Sequence, residues 1–279
     1  MKILVTGSNG QLGSELKLLA TQFSGMEFFF SNSKELDITK EKEVEGIFEE
    51  HHFDYCINCA AYTAVDQAEE DVERATLVNE IGPTHLAKAC AANKAVLIHV
   101  STDFVFDGSK NMPYNERSPT QALGVYGQTK RAGEIAVQKE VIQHFIIRTS
   151  WLYSQFGNNF VKTMLRLAEE RTELNVIVDQ VGTPTNAADL ANAILHLISC
   201  QSKAYGIYHF SNEGVASWYD FALAIFELAG KKIKVNAIPT SAYPLPAKRP
   251  HYSVLDKTKI KQLGVLVPYW KDALKRYFK

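Results

Sequence analysis

The chain has 279 residues, 46% hydrophobic and 22% charged, so it can bury a large core and fits one big α/β domain or two closely joined ones rather than a disordered or fibrous chain. Lys and Arg total 30 against 31 Asp and Glu, and the pI is near 6.7; no global field favours nucleic acid or an anionic membrane, which points to a small ligand recognised individually. The opening run MKILVTGSNG reaches a glycine turn within seven residues, too soon for the apolar core of a signal peptide, and no apolar run is long enough to span a bilayer. The expected compartment is the cytoplasm.

The first predicted strand, Lys2 to Thr6, runs into Gly7-x-x-Gly10-x-x-Gly13 and a helix over Gln11 to Phe23. Glycines at this junction permit a tight turn, close backbone approach to a pyrophosphate and close packing of helix on strand. The helix N-terminus offers free N–H groups to the phosphates. The second strand, Glu27 to Ser31, ends in Ser31, Asn32, Ser33 and Lys34. No carboxylate stands where NAD binders place one against the ribose 2′-hydroxyl, and Lys34 suits a 2′-phosphate, although it also reads as a solvated loop charge. The expected cofactor is NADPH, with NADH as the alternative. Asp37 and Ile38 follow in a position to flank the adenine.

A helix over Glu41 to Glu50 leads to a strand over Tyr55 to Ala60. Ala60, Ala61, Tyr62 and Thr63 then fall at a carboxyl edge, where a doubly wound sheet binds its ligand. Cys56-x-x-Cys59 has redox and zinc spacing, but residues three apart on a strand face opposite ways and no second Cys/His pair completes a tetrahedral site, so no metal is expected there. A helix over Glu73 to Ala92 contains Pro83, which predicts a kink or a late start. Then come a strand over Ala95 to Ser101, a helix over Tyr126 to Gln138, a strand over Phe145 to Thr149, a helix over Asn159 to Glu170, a strand over Asn175 to Asp179, a helix over Ala187 to Ile198 and a strand over Ile207 to Phe210. Nearly continuous apolar strands alternating with helices predict an α/β fold: a Rossmann-type doubly wound parallel sheet.

Residues 1–150 are expected to form the NADP(H)-binding domain, and 151–279 a smaller C-terminal substrate-binding lobe with segments crossing back to the sheet. After Ile207 the pattern loosens. Ser217 is a good N-cap for a helix ending at Gly230, and the stretch after it carries Pro239, Pro244, Pro246 and Pro250 before a short C-terminal helix.

Tyr126 and Lys130 lie one helical turn apart. Composition alone yields roughly one Tyr-x-x-x-Lys by chance, so placement carries the weight. Thr102 ends a strand at the same carboxyl edge, and the fold brings it together with the helix bearing Tyr126 and Lys130. A nicotinamide can then deliver hydride to a ketone carbon while Tyr126 passes its phenolic proton to the developing alkoxide. Lys130 and the oxidised nicotinamide are expected to pull the phenol pKa toward neutrality, and Thr102 to hold the carbonyl oxygen in line. Ser101 reads as a strand residue.

TGSNGQLG, LDIT, NCAAYTAVDQAE, STDFVFDG, YGQTKRAGE, IIRTSWLYSQFGNNFVKTMLRLA, DQVGTPT and RPHYSVLD together resemble the dTDP-4-dehydrorhamnose reductases, a family of extended short-chain dehydrogenases/reductases, over essentially the whole chain. The extended type carries the GxxGxxG spacing found here. The resemblance implies reduction of the C4 ketone of dTDP-4-dehydro-L-rhamnose by NADPH or NADH, for surface polysaccharide. It places cofactor contacts on Gly10, Gln11, Leu12, Asp37, Ile38, Ala61, Tyr62, Thr63, Tyr126 and Lys130, and substrate contacts on Thr102, Asp103 and Trp151.

Trp151 is physically credible there, since a large ring at a strand's carboxyl end can pack on a sugar; core packing is the other reading. Arg249 is a candidate for the nucleotide diphosphate because guanidinium binds phosphate in a bidentate way, against the plainer reading of a surface arginine in a proline-rich loop. Glu15 matches one of the glutamates that hold Mg2+ between subunits in some relatives, but the others are not evident here. A homodimer is the expected assembly. A related 4,6-dehydratase carries an acid after the Thr-Asp pair, where this chain has Phe104. An epimerase, another sugar-nucleotide reductase and a catalytically silent regulatory subunit are the remaining alternatives.

Overall fold

The computed structural model describes residues 1–279. Twelve strands and ten helices follow one another in chain order. The first half holds β1 (Lys2–Thr6), α1 (Gln11–Ala20), β2 (Glu27–Ser31), α2 (Glu41–His51), β3 (Tyr55–Asn58), α3 (Val72–Thr76), α4 (Gly82–Asn93), β4 (Val96–Thr102), α5 (Val125–Glu140) and β5 (His144–Thr149). The second half holds β6 (Leu152–Tyr153), α6 (Phe160–Glu170), β7 (Glu173–Ile177), β8 (Val181–Gly182), β9 (Thr185–Asn186), α7 (Ala187–Ser199), β10 (Gly206–His209), β11 (Ala216–Ser217), α8 (Trp218–Leu228), β12 (Lys234–Ile238), α9 (Thr258–Lys261) and α10 (Trp270–Tyr277).

Six strands form one parallel sheet in the order β10-β5-β4-β3-β1-β2. Strands buried on both faces need no polar alternation, and β1, β3, β4 and β5 are buried almost throughout. One face packs against α1 and α7 around Ile3, Val5, Ile57, Ile98 and Ile147. The other packs against α2, α4 and α5 around Leu4, Cys56, Leu97 and Ile146. Cys56 and Cys59 accordingly face opposite cores. The chain turns back between β1 and β3, and a doubly wound sheet opens its ligand crevice at such a reversal, outside the carboxyl ends of the strands.

Two predicted elements differ. The helix expected over Glu73 to Ala92 is interrupted by a π-helical turn at Leu77–Ile81, because Pro83 has no N–H for the carbonyl of Asn79. That freed oxygen lies 2.1 Å from where a Cβ of residue 133 would stand, so only Gly133 lets α5 approach. The strand expected over Asn175 to Asp179 is found at Glu173–Ile177 and lies outside the main sheet. It pairs in parallel with β12, which the sequence pattern did not predict. Its burial alternates rather than running continuously, as suits a strand with one wet face.

A third hydrophobic cluster, centred on Tyr153, Phe221, Ile225 and Trp270, joins α6, α8 and α10 to this small sheet. The segment 249–256 straps the two parts together. Val181 donates to His251 O at 2.7 Å, Ser253 to Val181 O at 2.8 Å and Tyr114 to Val254 O at 2.8 Å. No helix is long and apolar enough to cross a membrane.

Candidate active site

The turn after β1 is shaped by glycine at two points. Gly7 has φ +65°, and a Cβ there would stand 2.6 Å from Ala60 N; a Cβ on Gly13 would stand 2.6 Å from Gly7 O. Any larger residue would push the loop away from β3 or lift α1 off β1. Gly10 caps α1 with no side-chain hydrogen bond, which leaves the first-turn N–H groups of Gln11, Leu12 and Gly13 pointing into the crevice at the positive end of the helix. Gln11 is held from the side, its Oε1 accepting from Asn159 Nδ2 at 3.1 Å. These features fit a dinucleotide pyrophosphate.

Around this turn lie the other sequence-predicted cofactor residues. Asp37 Oδ1 accepts from the backbone and hydroxyl of Thr39, bonds that hold its carboxyl below the ordinary range. Ile38 packs against Gly82, and Lys34 is exposed beside β2. Ala60 N donates to Asn58 Oδ1 at 3.1 Å, and Ala61 and Thr63 flank Tyr62. The backbone of Tyr62 is clamped by Asn79, which accepts from Tyr62 N at 2.8 Å, donates to Tyr62 O at 3.1 Å and donates to Thr129 Oγ1 on α5 at 3.2 Å. Asn79 sits in the π-turn, so the helix irregularity that Pro83 causes ties the cofactor-side loop to the helix bearing Tyr126.

That helix has an unusual cap. Gly124 at its N-cap has no side chain, and Glu69, from the DQAE stretch, accepts from Val125 N at 2.8 Å. A carboxylate there complements the helix dipole. Gly127 allows the first turn to press on Phe104, whose carbonyl would lie 2.2 Å from a Cβ. Tyr126 then meets the Phe104 ring edge-on, with centroids 5.5 Å apart.

Desolvation in the crevice raises the Tyr126 phenol to about 12, with the Thr102 hydroxyl beside it opposing the shift and the nearby Asp103 adding to it. Burial lowers Lys130 to about 8, partly countered by Glu134 one turn on. Lys130 Nζ donates to Val100 O at 2.7 Å. The expected pull of Lys130 on the phenol is thus not what the chain alone produces: the ammonium is engaged by β4, and the phenol stands firmly protonated, the form a proton donor needs.

Thr102 ends β4 in register with Thr149 on β5. Its hydroxyl donates to Asp103 Oδ1 and accepts from Phe104 N, both at 3.1 Å. Asp103 is buried, with Oδ2 lacking a partner, and burial raises its carboxyl to about 6, opposed by the nearby Ser253 and by the hydrogen bond from Thr102. Below the site Glu134 and Arg148 form a fully buried pair, Nη2 to Oε2 at 2.7 Å and Nε to Oε1 at 2.8 Å.

Trp151 lies two residues beyond Thr149 with φ +46°, and its indole stacks on Trp218 at 3.6 Å between centroids and 8° between planes. Arg249 does not stand free. It makes a two-pronged pair with Asp66, at 2.7 and 3.0 Å, which holds the Asp66 carboxyl low. Arg249 also lines a cavity of about 570 Å³ together with Phe160, Gln180, Trp218 and Tyr243. Glu15 is buried and accepts from Ser154 at 2.7 Å, and no group of three or more His, Cys, Asp or Glu is arranged to hold a metal ion.

The structure therefore brings Gly7 to Gly13, Ala60 to Thr63, Thr102, Asp103, Tyr126 and Lys130 to one sheet edge, with Trp151 beside them. Sequence reading missed Asn79, Glu69, Gln180, Trp218 and Ser253, whose roles come from contacts between residues distant in sequence. Glu69, Gln180 and Ser253 left a trace only as members of the DQAE, DQVGTPT and RPHYSVLD stretches.

A glycine turn heading a parallel sheet, facing a threonine, a tyrosine and a lysine at the next strand edge, is the arrangement of the extended short-chain dehydrogenases/reductases. Residues 1–279 match the family model described as RmlD substrate binding domain, and the chain belongs to that family. It is 44% identical to a dTDP-4-dehydrorhamnose reductase of Aggregatibacter actinomycetemcomitans, over 98% of this chain and 97% of that one. Among solved structures it is similar to a dTDP-4-dehydrorhamnose reductase of Clostridium acetobutylicum, at TM-score 0.94 and 44% identity over 99% of this chain and 98% of that one. It is also similar to the enzyme of the same name from Bacillus anthracis in complex with NADP, at TM-score 0.96 and 40% identity with the same coverage.

Proposed function

We propose that this chain reduces the C4 ketone of dTDP-4-dehydro-L-rhamnose to dTDP-L-rhamnose with NADPH, as a step toward surface polysaccharide. The observation that carries the reading is the meeting of a protonated, half-buried Tyr126 with Thr102 at the edge of the crevice that the Gly7 to Gly13 turn opens. NADPH supplies the hydride when bound.

Gly10, Gln11, Leu12 and Gly13 would hold its pyrophosphate on the α1 N-terminus, and Lys34 its 2′-phosphate. Asp37 and Ile38 would border the adenine, and Ala60 to Thr63 the length of the dinucleotide. Lys130, anchored on Val100 O, would offer its remaining N–H groups to the cofactor ribose. Thr102 orients the ketone oxygen, and Tyr126 releases its proton to that oxygen as negative charge develops. Asp103 and Trp151 border the sugar. The cavity lined by Trp218 and Arg249 has room for the nucleotide end, with Arg249 exchanging Asp66 for the diphosphate.

Phe104 packs on Tyr126 where an elimination would need an acid, which supports reduction over dehydration. No step is assigned to Mg2+. A soluble nucleotide-sugar substrate fits work in the cytoplasm, away from nucleic acid and membranes; sedimentation of the free protein tests the expected homodimer. The functional test is loss of reduced-nicotinamide absorbance on mixing protein, NADPH and dTDP-4-dehydro-L-rhamnose. Consumption dependent on that sugar is expected, whereas no consumption with it, or equal consumption of unrelated keto-sugar nucleotides, would sink the assignment.

A further inference from the structure

The indole of Trp151 has both faces covered. On one side lies Trp218, stacked at 3.6 Å. On the other lies Gly182: a Cβ there would stand 2.7 Å from Trp151 Cε2 and 2.9 Å from each of Cζ2 and Nε1. Cε2 is bonded to both of those atoms. An in-plane approach would bring the flanking pair nearer than Cε2, so that Cβ would sit above the ring. With Trp218 filling the space over one face, Gly182 must lie over the other at its Cε2 edge, which leaves the rim of Trp151 as the part presented to a ligand.

The two jaws are fixed to each other. Gly182 pairs with Ala216 and Val181 with Ser217, and Ser217 caps α8 through a reciprocal capping box with Asp220, which leaves Trp218 as the first residue of that helix. The rotation of the Trp218 ring is set separately by a chain of oriented hydrogen bonds. Thr240 Oγ1 donates to Asp179 Oδ1 at 2.6 Å, so it can accept from Gln180 Nε2 at 3.1 Å. That contact turns the Gln180 carbonyl oxygen toward Trp218, whose Nε1–H it accepts at 3.2 Å. Gln180 is itself buried, so few waters compete for its side-chain amide.

We propose that Gln180 is a positioning residue of the reaction: through the indole N–H of Trp218 it locks the clamp that presents the rim of Trp151 to the sugar. The inference rests on the reading of Trp151 as a substrate contact in a keto-sugar reductase. Its function depends on ring placement, so it predicts a KM effect without a comparable effect on the chemical step.

The test compares wild type with Gln180→Leu, Gly182→Ala, Trp218→Phe and the Gln180→Leu/Trp218→Phe pair, by steady-state NADPH consumption and by tryptophan emission without substrate. Gln180→Leu is expected to raise KM for the nucleotide sugar about tenfold, the scale of one buried hydrogen bond. It should leave kcat and the KM for NADPH within about twofold, and shift emission to the red as Trp218 gains water. Gly182→Ala should raise the same KM by driving a methyl into the ring. In the Trp218→Phe background Gln180→Leu should add nothing.

A Gln180→Leu effect that persists in full in that background would make Gln180 a direct contact and overturn the proposal. An unchanged KM in both Gln180→Leu and Gly182→Ala would overturn it as well. If wild type does not turn over the sugar, the functional reading fails by itself. Emission then decides the clamp alone, and an unshifted spectrum in Gln180→Leu would overturn it.

Discussion

The crevice at the head of the sheet and the clamp around Trp151 hold side chains by different means. In the crevice each group hangs from a regular element: the glycines join β1 to α1, Thr102 ends β4, and Tyr126 and Lys130 share one face of α5. The clamp is assembled from two-residue strands, a tryptophan in the left-handed region and a side-chain chain running from Asp179 to Trp218. The regular scaffold fixes where charge and protons sit, while the irregular one fixes the outline against which a substrate is sorted. Changes in the crevice should therefore cost rate and stability, and changes in the clamp should cost selectivity and KM.

The largest expected effect lies in the crevice. Tyr126→Phe should lower kcat about 10³-fold, within the range that a positioned general acid contributes, while NADPH still binds with wild-type affinity in a fluorescence titration. Turnover within tenfold of wild type would remove Tyr126 as the proton donor. Next comes the pair beneath it. Arg148→Leu takes the two-pronged partner from a fully buried Glu134 carboxylate and leaves it only the half-buried Arg131, Nη1 to Oε2 at 3.0 Å, so the free energy of unfolding by denaturant should fall by about 3 kcal/mol. A loss below about 1 kcal/mol would mean that the scaffold under α5 does not depend on this pair.

Asp103 gives a pH-resolved test where crevice and clamp meet. Its carboxyl is raised from 3.8 to about 6, so the folded state binds more protons than the unfolded one between those values. Its contribution is fully present below pH 3.8 and is lost as pH rises through 6. Asp103→Asn should remove a decline on the order of 3 kcal/mol across that window, read as the difference between two denaturation series. Parallel pH profiles for variant and wild type would show that burial does not hold the proton on Asp103. The smallest effect belongs to the outer rim: Lys34→Gln should raise KM for NADPH about threefold and leave that for NADH alone, as an exposed charge contact is worth little. Equal changes for both cofactors would assign Lys34 to the solvated loop.

The same contrast explains what could be read from the residues. Gly7, Gly10 and Gly13 were legible because their spacing sits between a strand and a helix, and Tyr126 and Lys130 because a helical turn separates them. Such signals repeat within a few residues. Arg249 was legible as a guanidinium but not as the partner of Asp66, which lies far away in sequence and meets it only after the strap folds over. Trp151 was visible as a large ring near a strand end. Its covered faces were not visible, because they depend on the absent Cβ of Gly182 and on a capped helix that begins at Trp218. The β7–β12 pair escaped for a related reason: β12 lies in a stretch of weak periodicity, and its partner is reached only through tertiary packing.

The proposed reaction is a single hydride passing to the sugar from a cofactor held by the Gly7 to Gly13 turn. Turnover with NADPH bearing deuterium at the transferable position of the nicotinamide C4, followed by mass and NMR analysis of the sugar, measures this directly. The predicted result is one deuterium per molecule at sugar C4 in the product of wild type, and almost no product from Tyr126→Phe. Product without deuterium at C4, or undiminished product from Tyr126→Phe, would contradict it.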